Sequence, residues 1–294
     1  MPAPPITAEA LGFAGDAERG WRRASRGREW RFRPLRTLAD LKPVEELQRR
    51  VMGVSDIDLS PVSALIVVPE TGGDVLGAFP ADAEMLAGAA IGWGGYVDDA
   101  PRLVSDLLAV DPAVRNLGLG AELKRLQAAH AAARGFQEIV WTVDPLRAAN
   151  ARLNFEKLGA VARRYEIDRY GAGYGAGLYG GLPTDRLHLS WRLDAARTRR
   201  RLLGQDRMMS AADVYGLPRY EPGIAAERVL VALPGDVDRL QGEAPEAALA
   251  WRMRLRGELI AAFAEGFAIT GFVAAPALPG VEAVYVLERE IDPA

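Results

Sequence analysis

The residues whose types and spacing could do defined chemistry lie close together. The run Val110-Asp111-Pro112-Ala113-Val114-Arg115-Asn116-Leu117-Gly118-Leu119-Gly120-Ala121 passes from an apolar stretch, through two glycines, into a helical pattern. Consecutive main-chain N–H groups in such a loop, backed by the positive end of a helix dipole, make an anion site. The glycines remove Cβ atoms that would hold a diphosphate off the main chain, and Arg115 adds a full charge beside it. The spacing is Arg-x-x-Gly-x-Gly. It is neither the G-x-G-x-x-G of a dinucleotide fold nor the G-x-x-x-x-G-K of a nucleoside-triphosphate loop.

Composition excludes several other chemistries. The 294 residues contain no cysteine and two histidines, His130 and His188, which rules out thiolate chemistry and leaves no multi-histidine metal site; no metal is expected. A second carboxylate of interest is Asp144, in Thr142-Val143-Asp144-Pro145, at the kind of strand end where ligands gather in open sheets; it could equally cap the next helix. The net charge of -3 argues against a nucleic-acid protein, and the arginines between Arg19 and Arg36 read as a solvated charge run. No apolar run reaches the roughly 18 residues of a membrane span, and the amino terminus lacks the layout of a signal peptide. A cytoplasmic protein is expected, with no membrane partner.

The elements that must position the loop follow from periodicity. Residues 1–28 have little apolar patterning and predict a mobile arm. A strand is expected at Trp30–Pro34 and a helix through Leu38, Leu41, Val44, Leu47 and Val51. Ser63–Val68 and Met85–Tyr96 read as strands, with turn residues in the TGGD and FPADAE segments between them. Arg102–Val110 is apolar on both faces, as in a strand buried within a sheet. A helix then runs from about Gly120 to Arg134, closed by Gly135. A strand at Glu138–Val143, a helix over 146–158 closed by Gly159, and strands near 160–168 and 186–193 come next, the last two separated by a glycine-rich loop. The arginines at 197 and 199–201 read as a connection. Beyond them the order is strand (228–233), helix (245–265), strand (267–273) and strand (281–289). The join Phe263-x-x-Gly266-Phe267 echoes Phe155-x-x-x-Gly159-Ala160, either as a decayed half-repeat or as an ordinary helix–glycine–strand join.

In this context the Arg115-x-x-Gly118-x-Gly120 loop resembles the pyrophosphate loop of the GNAT acetyltransferase superfamily, Gln/Arg-x-x-Gly-x-Gly/Ala. The resemblance covers about residues 30–194 and is strongest over 102–165. The WTVDPL (141–146), NARLN (150–154) and TDR (184–186) stretches are similar to a branch of predicted acetyltransferases in that superfamily. The resemblance implies an α/β (α+β) fold, with a mixed, splayed central sheet flanked by helices. It divides the chain into an arm (1–28), an acyl-CoA-binding domain (29–194) and a β-α-β-β extension (195–294). It implies acetyl-CoA or another acyl-CoA as co-substrate and an unidentified amine as acceptor, with a homo-oligomer compatible. Leu108 and Val110 would pair with the pantetheine arm; Leu117, Gly118, Leu119, Gly120 and Ala121 would offer N–H groups to the pyrophosphate; Asn150 would reach the cofactor from the opposite wall. Lys124 and Arg125 would either meet the adenosine phosphate or form a solvated helix face.

The chain departs from the family where a helix should end Tyr-x-x-x-Gly-Phe. Phe155 stands at the tyrosine position, and a phenyl ring donates no proton. The thiolate either leaves unaided, is protonated from elsewhere, with Tyr165 or Asn154 nearby in sequence, or is never formed because the protein binds acyl-CoA without turning it over. Asp106, on the central strand near the expected thioester end, is the candidate base; as a buried carboxylate it would have a raised pKa.

Overall fold

The computed structural model describes residues 5–16, 18–52, 56–171 and 180–289. They fall into two units: Met1–Trp141 with Arg192–Asp194, and Thr142–Trp191 with Ala195–Ala294.

In the first unit, strands β1 (Ala14–Asp16), β2 (Gly20–Ser25), β3 (Arg28–Pro34), β4 (Asp74–Pro80), β5 (Gly88–Val97), β6 (Ala100–Val110) and β7 (Glu138–Val143) neighbour one another in chain order. All pairs are antiparallel except β6 with β7. Two helices flank this sheet, α1 (Leu38–Met52) and, after the short α2 (Val62–Leu65), α3 (Leu119–Ala133). Leu41, Val44 and Leu47 of α1 share a core with Val75, Phe79, Ala89 and Ile91. Strand residues of the opposite parity meet α3: a Cβ on Gly88 would come within 3.1 Å of Leu123, and one on Gly92 within 2.9 Å of Gln127 Nε2. Glycine therefore lets α3 lie close to the sheet.

Two expectations are corrected here, and one strand went unread. The expected arm carries β1 and β2, with Trp21 buried. The apolar run 63–68 is not a strand; Pro61, in extended conformation, starts α2, and a 3₁₀ turn with proline in its first positions follows at Val68–Thr71. The strand of that region is β4, buried at all seven positions, whose Gly77 and Pro80 masked it.

In the second unit the strand order is β9 (Arg186–Arg192), β8 (Val161–Glu166), β11 (Phe267–Ala274), β12 (Ala283–Arg289), β10 (Arg228–Leu233), antiparallel throughout. Its helices are α4 (Ala148–Ala151), continued as a π-helical stretch over Arg152–Leu158, then α5 (Ala196–Leu202), α6 (Ala211–Val214), α7 (Val237–Glu243) and α8 (Pro245–Ala264). The arginine-rich connection is thus the helix α5. Gly159 (φ 75°) and Gly266 (φ 84°) each end a helix in the left-handed conformation before an antiparallel strand pair. The second unit joins Thr142–Trp191 to Ala195–Ala294 and leaves Arg192–Asp194 with the first. Ile269 of β11 pairs with Ala162 of β8, so the residues after 195 build onto those before.

Candidate acyl-CoA site

In the first unit β6 ends at Val110, and Asp111 turns the chain by accepting a hydrogen bond from Ala113 N at 3.0 Å. Asn116 and Gly118 are both left-handed, at φ 64° and 83°. Gly118 is the N-cap of the 15-residue α3 and supplies no side-chain cap. The first N–H groups of a helix have no intrahelical acceptor, so those of Leu119 and Gly120 point out beside the positive dipole end. Ala121 differs from expectation: its N–H already donates to the Gly118 carbonyl at 3.0 Å. The donor set narrows to residues 117–120. Arg115 is exposed beside them, whereas Leu108 and Val110 are half-buried.

The sheet opens next to this loop. Pairing between β6 and β7 is confined to Leu103 with Ile139 and Val104 with Val140. From Ser105 to Val110 that edge of β6 pairs with no other strand among the described residues. On the other edge, Ile91 pairs with Leu107 and Gly92 with Ser105, which leaves Asp106 as an extra, bulged residue. Asp106 is exposed and accepts a hydrogen bond from Ser60 Oγ at 3.2 Å. The expectation of a buried carboxylate is corrected: the bulge turns it outward.

Lys124, expected on a solvated face, lies in the core. It is 2% exposed; Nζ donates to Ser105 Oγ at 2.9 Å and Gln127 Oε1 at 2.8 Å and stands 3.9 Å from the centre of the Trp141 ring. Burial pushes its pKa down to about 7. Between that value and the ordinary 10.5, the unfolded chain holds a proton that the folded one lacks. Stability therefore climbs with pH across this window, and the cost of charging Lys124 is fully present below it. Lys124→Met should abolish this rise and stabilise the protein at pH 6.5, by an amount on the order of several kcal/mol. Urea titrations at pH 6.5 and 9.5 showing the same slope in both proteins would contradict the assignment.

The remaining candidates lie in the second unit. Phe155 is fully buried, edge-on to Tyr285 with ring centres 5.5 Å apart. The Tyr165 hydroxyl donates to Asp185 Oδ2 at 2.6 Å, and Arg256 grips the same carboxylate with two hydrogen bonds of 2.8 Å. Burial, then the bond to Asp185, pushes the Tyr165 pKa well above the usual tyrosine value. Asp144 is buried; its Oδ1 accepts from Leu146 N at 2.9 Å and from Arg252 Nη2 at 2.8 Å. It caps its loop and pairs with α8. Asn150 is half-buried on α4. Sequence reasoning misplaced Lys124 and missed Arg252 and Arg256; the one signal was their spacing on helices whose polar residues follow no single outward face.

Among the described residues no group of three or more His, Asp or Glu side chains is placed to hold a metal, and no helix is long and apolar enough to cross a membrane. Residues 66–160 match the model of the Acetyltransferase (GNAT) family. The chain therefore carries a GNAT acetyltransferase domain over that segment, which contains the loop, the splay and Phe155. No curated protein matches the chain. Solved structures do. The ribosomal-protein-S18-alanine N-acetyltransferase of Escherichia coli is 18% identical over 57% of this chain and 96% of its own, with a TM-score of 0.44. A Salmonella typhimurium protein solved with its cofactor acetyl-CoA is 17% identical over 57% and 97%, at 0.44. A GNAT acetyltransferase of Streptococcus pneumoniae is 16% identical over 55% and 97%, also at 0.44.

Proposed function

We propose that the protein transfers an acetyl or similar acyl group from CoA to an amine of a small molecule or peptide. The observation that carries this reading is the uncapped start of α3 at Gly118, set beside the strandless edge of β6, inside the segment that matches the family. The residues fit the group: the left-handed Gly118 starts α3 without a side-chain cap, so the first N–H groups of the helix stay open to a diphosphate. Leu117, Gly118, Leu119 and Gly120 would hold the diphosphate through N–H groups, with Arg115 adding charge, and the edge of β6 at Leu108–Val110 would hold the pantetheine arm.

Bound acyl-CoA would supply an activated thioester carbonyl for attack by the amine, with the C–N bond forming as the C–S bond breaks. An amine of pKa near about 10.4 must shed a proton first. Asp106, exposed on the bulge, is the carboxylate that could pass it to water. Phe155 has no proton to give, and Tyr165 holds its own in the bond to Asp185. The thiol's low pKa, about 8.5, makes an unaided departure tolerable at neutral pH. The fully packed Phe155 also supports a second reading, a module that binds acyl-CoA without turnover.

Thiol release from acetyl-CoA across a panel of amines separates the two. We expect release that rises with pH toward the acceptor's pKa; micromolar binding without release would establish the second reading. Phe155→Tyr should rescue neither case. Its hydroxyl would enter a packed core against Tyr285, at a cost of about 1–3 kcal/mol read as a lower melting temperature.

A further inference from the structure

The β2–β3 hairpin lies along α3 and ends at the anion loop. Its inward residues alternate down the helix. The Trp21 ring meets His130 edge-on at 4.8 Å, Arg23 forms an ion pair with Glu122, and Ser25 Oγ donates to the Leu117 carbonyl at 3.0 Å. The two-residue turn that follows, Arg26-Gly27, has φ of 48° and 76°, the signs required by a type I′ hairpin. From this turn Arg26 Nη1 donates to the Asn116 carbonyl at 2.8 Å. A Cβ on Gly118 would overlap the Ser25 hydroxyl. The loop's two carbonyls are therefore held by the hairpin, immediately before the four N–H groups that a diphosphate would need.

We propose that this turn braces the diphosphate site from behind, on the carbonyl side of the loop, with Ser25 and Arg26 as positioning residues. By holding the Leu117 and Asn116 carbonyls they fix the peptide planes whose N–H groups face the ligand. Arg26 and Arg28, both exposed, add positive charge at the same end. The ligand class is the diphosphate of an acyl-CoA, and the inference rests on the acyl-CoA reading above.

Calorimetric titration of CoA and of 3′-dephospho-CoA into wild type, Ser25→Ala, Ser25→Thr and Arg26→Ala tests it. Ser25→Ala and Arg26→Ala should weaken both ligands by the same factor, about three- to thirtyfold, because the diphosphate is common to the two. Ser25→Thr, which keeps the hydroxyl, should restore most of the affinity, and in turnover the loss should fall on KM rather than kcat. Amide exchange at residues 117–120 should quicken in the two alanine variants without ligand. Alanine variants that bind both ligands as wild type does would overturn the inference alone. A loss confined to CoA would also overturn it, by making the turn a contact of the 3′-phosphate instead. A wild type that binds neither ligand would remove the acyl-CoA reading, and this inference with it.

Discussion

In Gly118→Val, CoA affinity falls by about ten- to a hundredfold or more, while Gly120→Ala costs little. The contrast follows from the two backbones. Gly118 is left-handed, at φ 83°, a conformation that costs an L-residue roughly 1–2 kcal/mol and a β-branched one more. A Cβ there also overlaps the Ser25 hydroxyl, so the loop must shift and its N–H groups lose convergence. Each charge-assisted hydrogen bond lost to the diphosphate is worth about 1.5–3 kcal/mol. Gly120, by contrast, has no positive φ, and a Cβ would meet only Leu108 and Val110, at 3.5 and 3.6 Å, which is ordinary contact. Calorimetry that ranks the two variants equally would refute the assignment of the loop as the diphosphate cradle.

What could be read in the sequence was what local chemistry decides. The passage from β6 through the loop into α3 was legible because Gly118 and Gly120 punctuate it, and the helix ends because Gly135, Gly159 and Gly266 each take the left-handed conformation that stops a helix. What failed was decided by distant partners. In β2 Trp21 is buried and Arg23 half-buried because α3 lies beneath them, so Arg23 read as part of a charge run. β4 has no polar face to betray its period, since all its positions are covered. Asp106 follows the alternation of β6 on paper, but a bulge set by the pairing with β5 turns it outward. Lys124 is a plausible surface lysine until Ser105, Gln127 and Trp141 are brought around it. Ion pairs such as Arg256 with Asp185, 71 residues apart, leave no mark in a local window.

The buried pair of Asp144 and Arg252 should show the largest effect on stability. Arg252 is fully buried. Its Nη2 reaches Asp144 at 2.8 Å, while Nε and Nη1 find no hydrogen-bond partner among the described residues, so Asp144 supplies the counter-charge seen for this guanidinium. Asp144→Ala strands that charge and also takes the acceptor from Leu146 N. Breaking a buried pair from one side costs about 3–5 kcal/mol, which in a domain of this size is a melting temperature lower by roughly 10 °C. Removing the charge together with its partner costs less, because an apolar chain of similar length needs no counter-ion. Asp144→Ala combined with Arg252→Met should therefore be more stable than Asp144→Ala alone. If the double variant is instead as unstable as the sum of the two single ones, Asp144 acts through the cap it gives Leu146 N. Rescue by Arg252→Met would mean that α8, from the carboxy-terminal segment, neutralises the carboxylate that closes β7 and opens the loop toward Asn150.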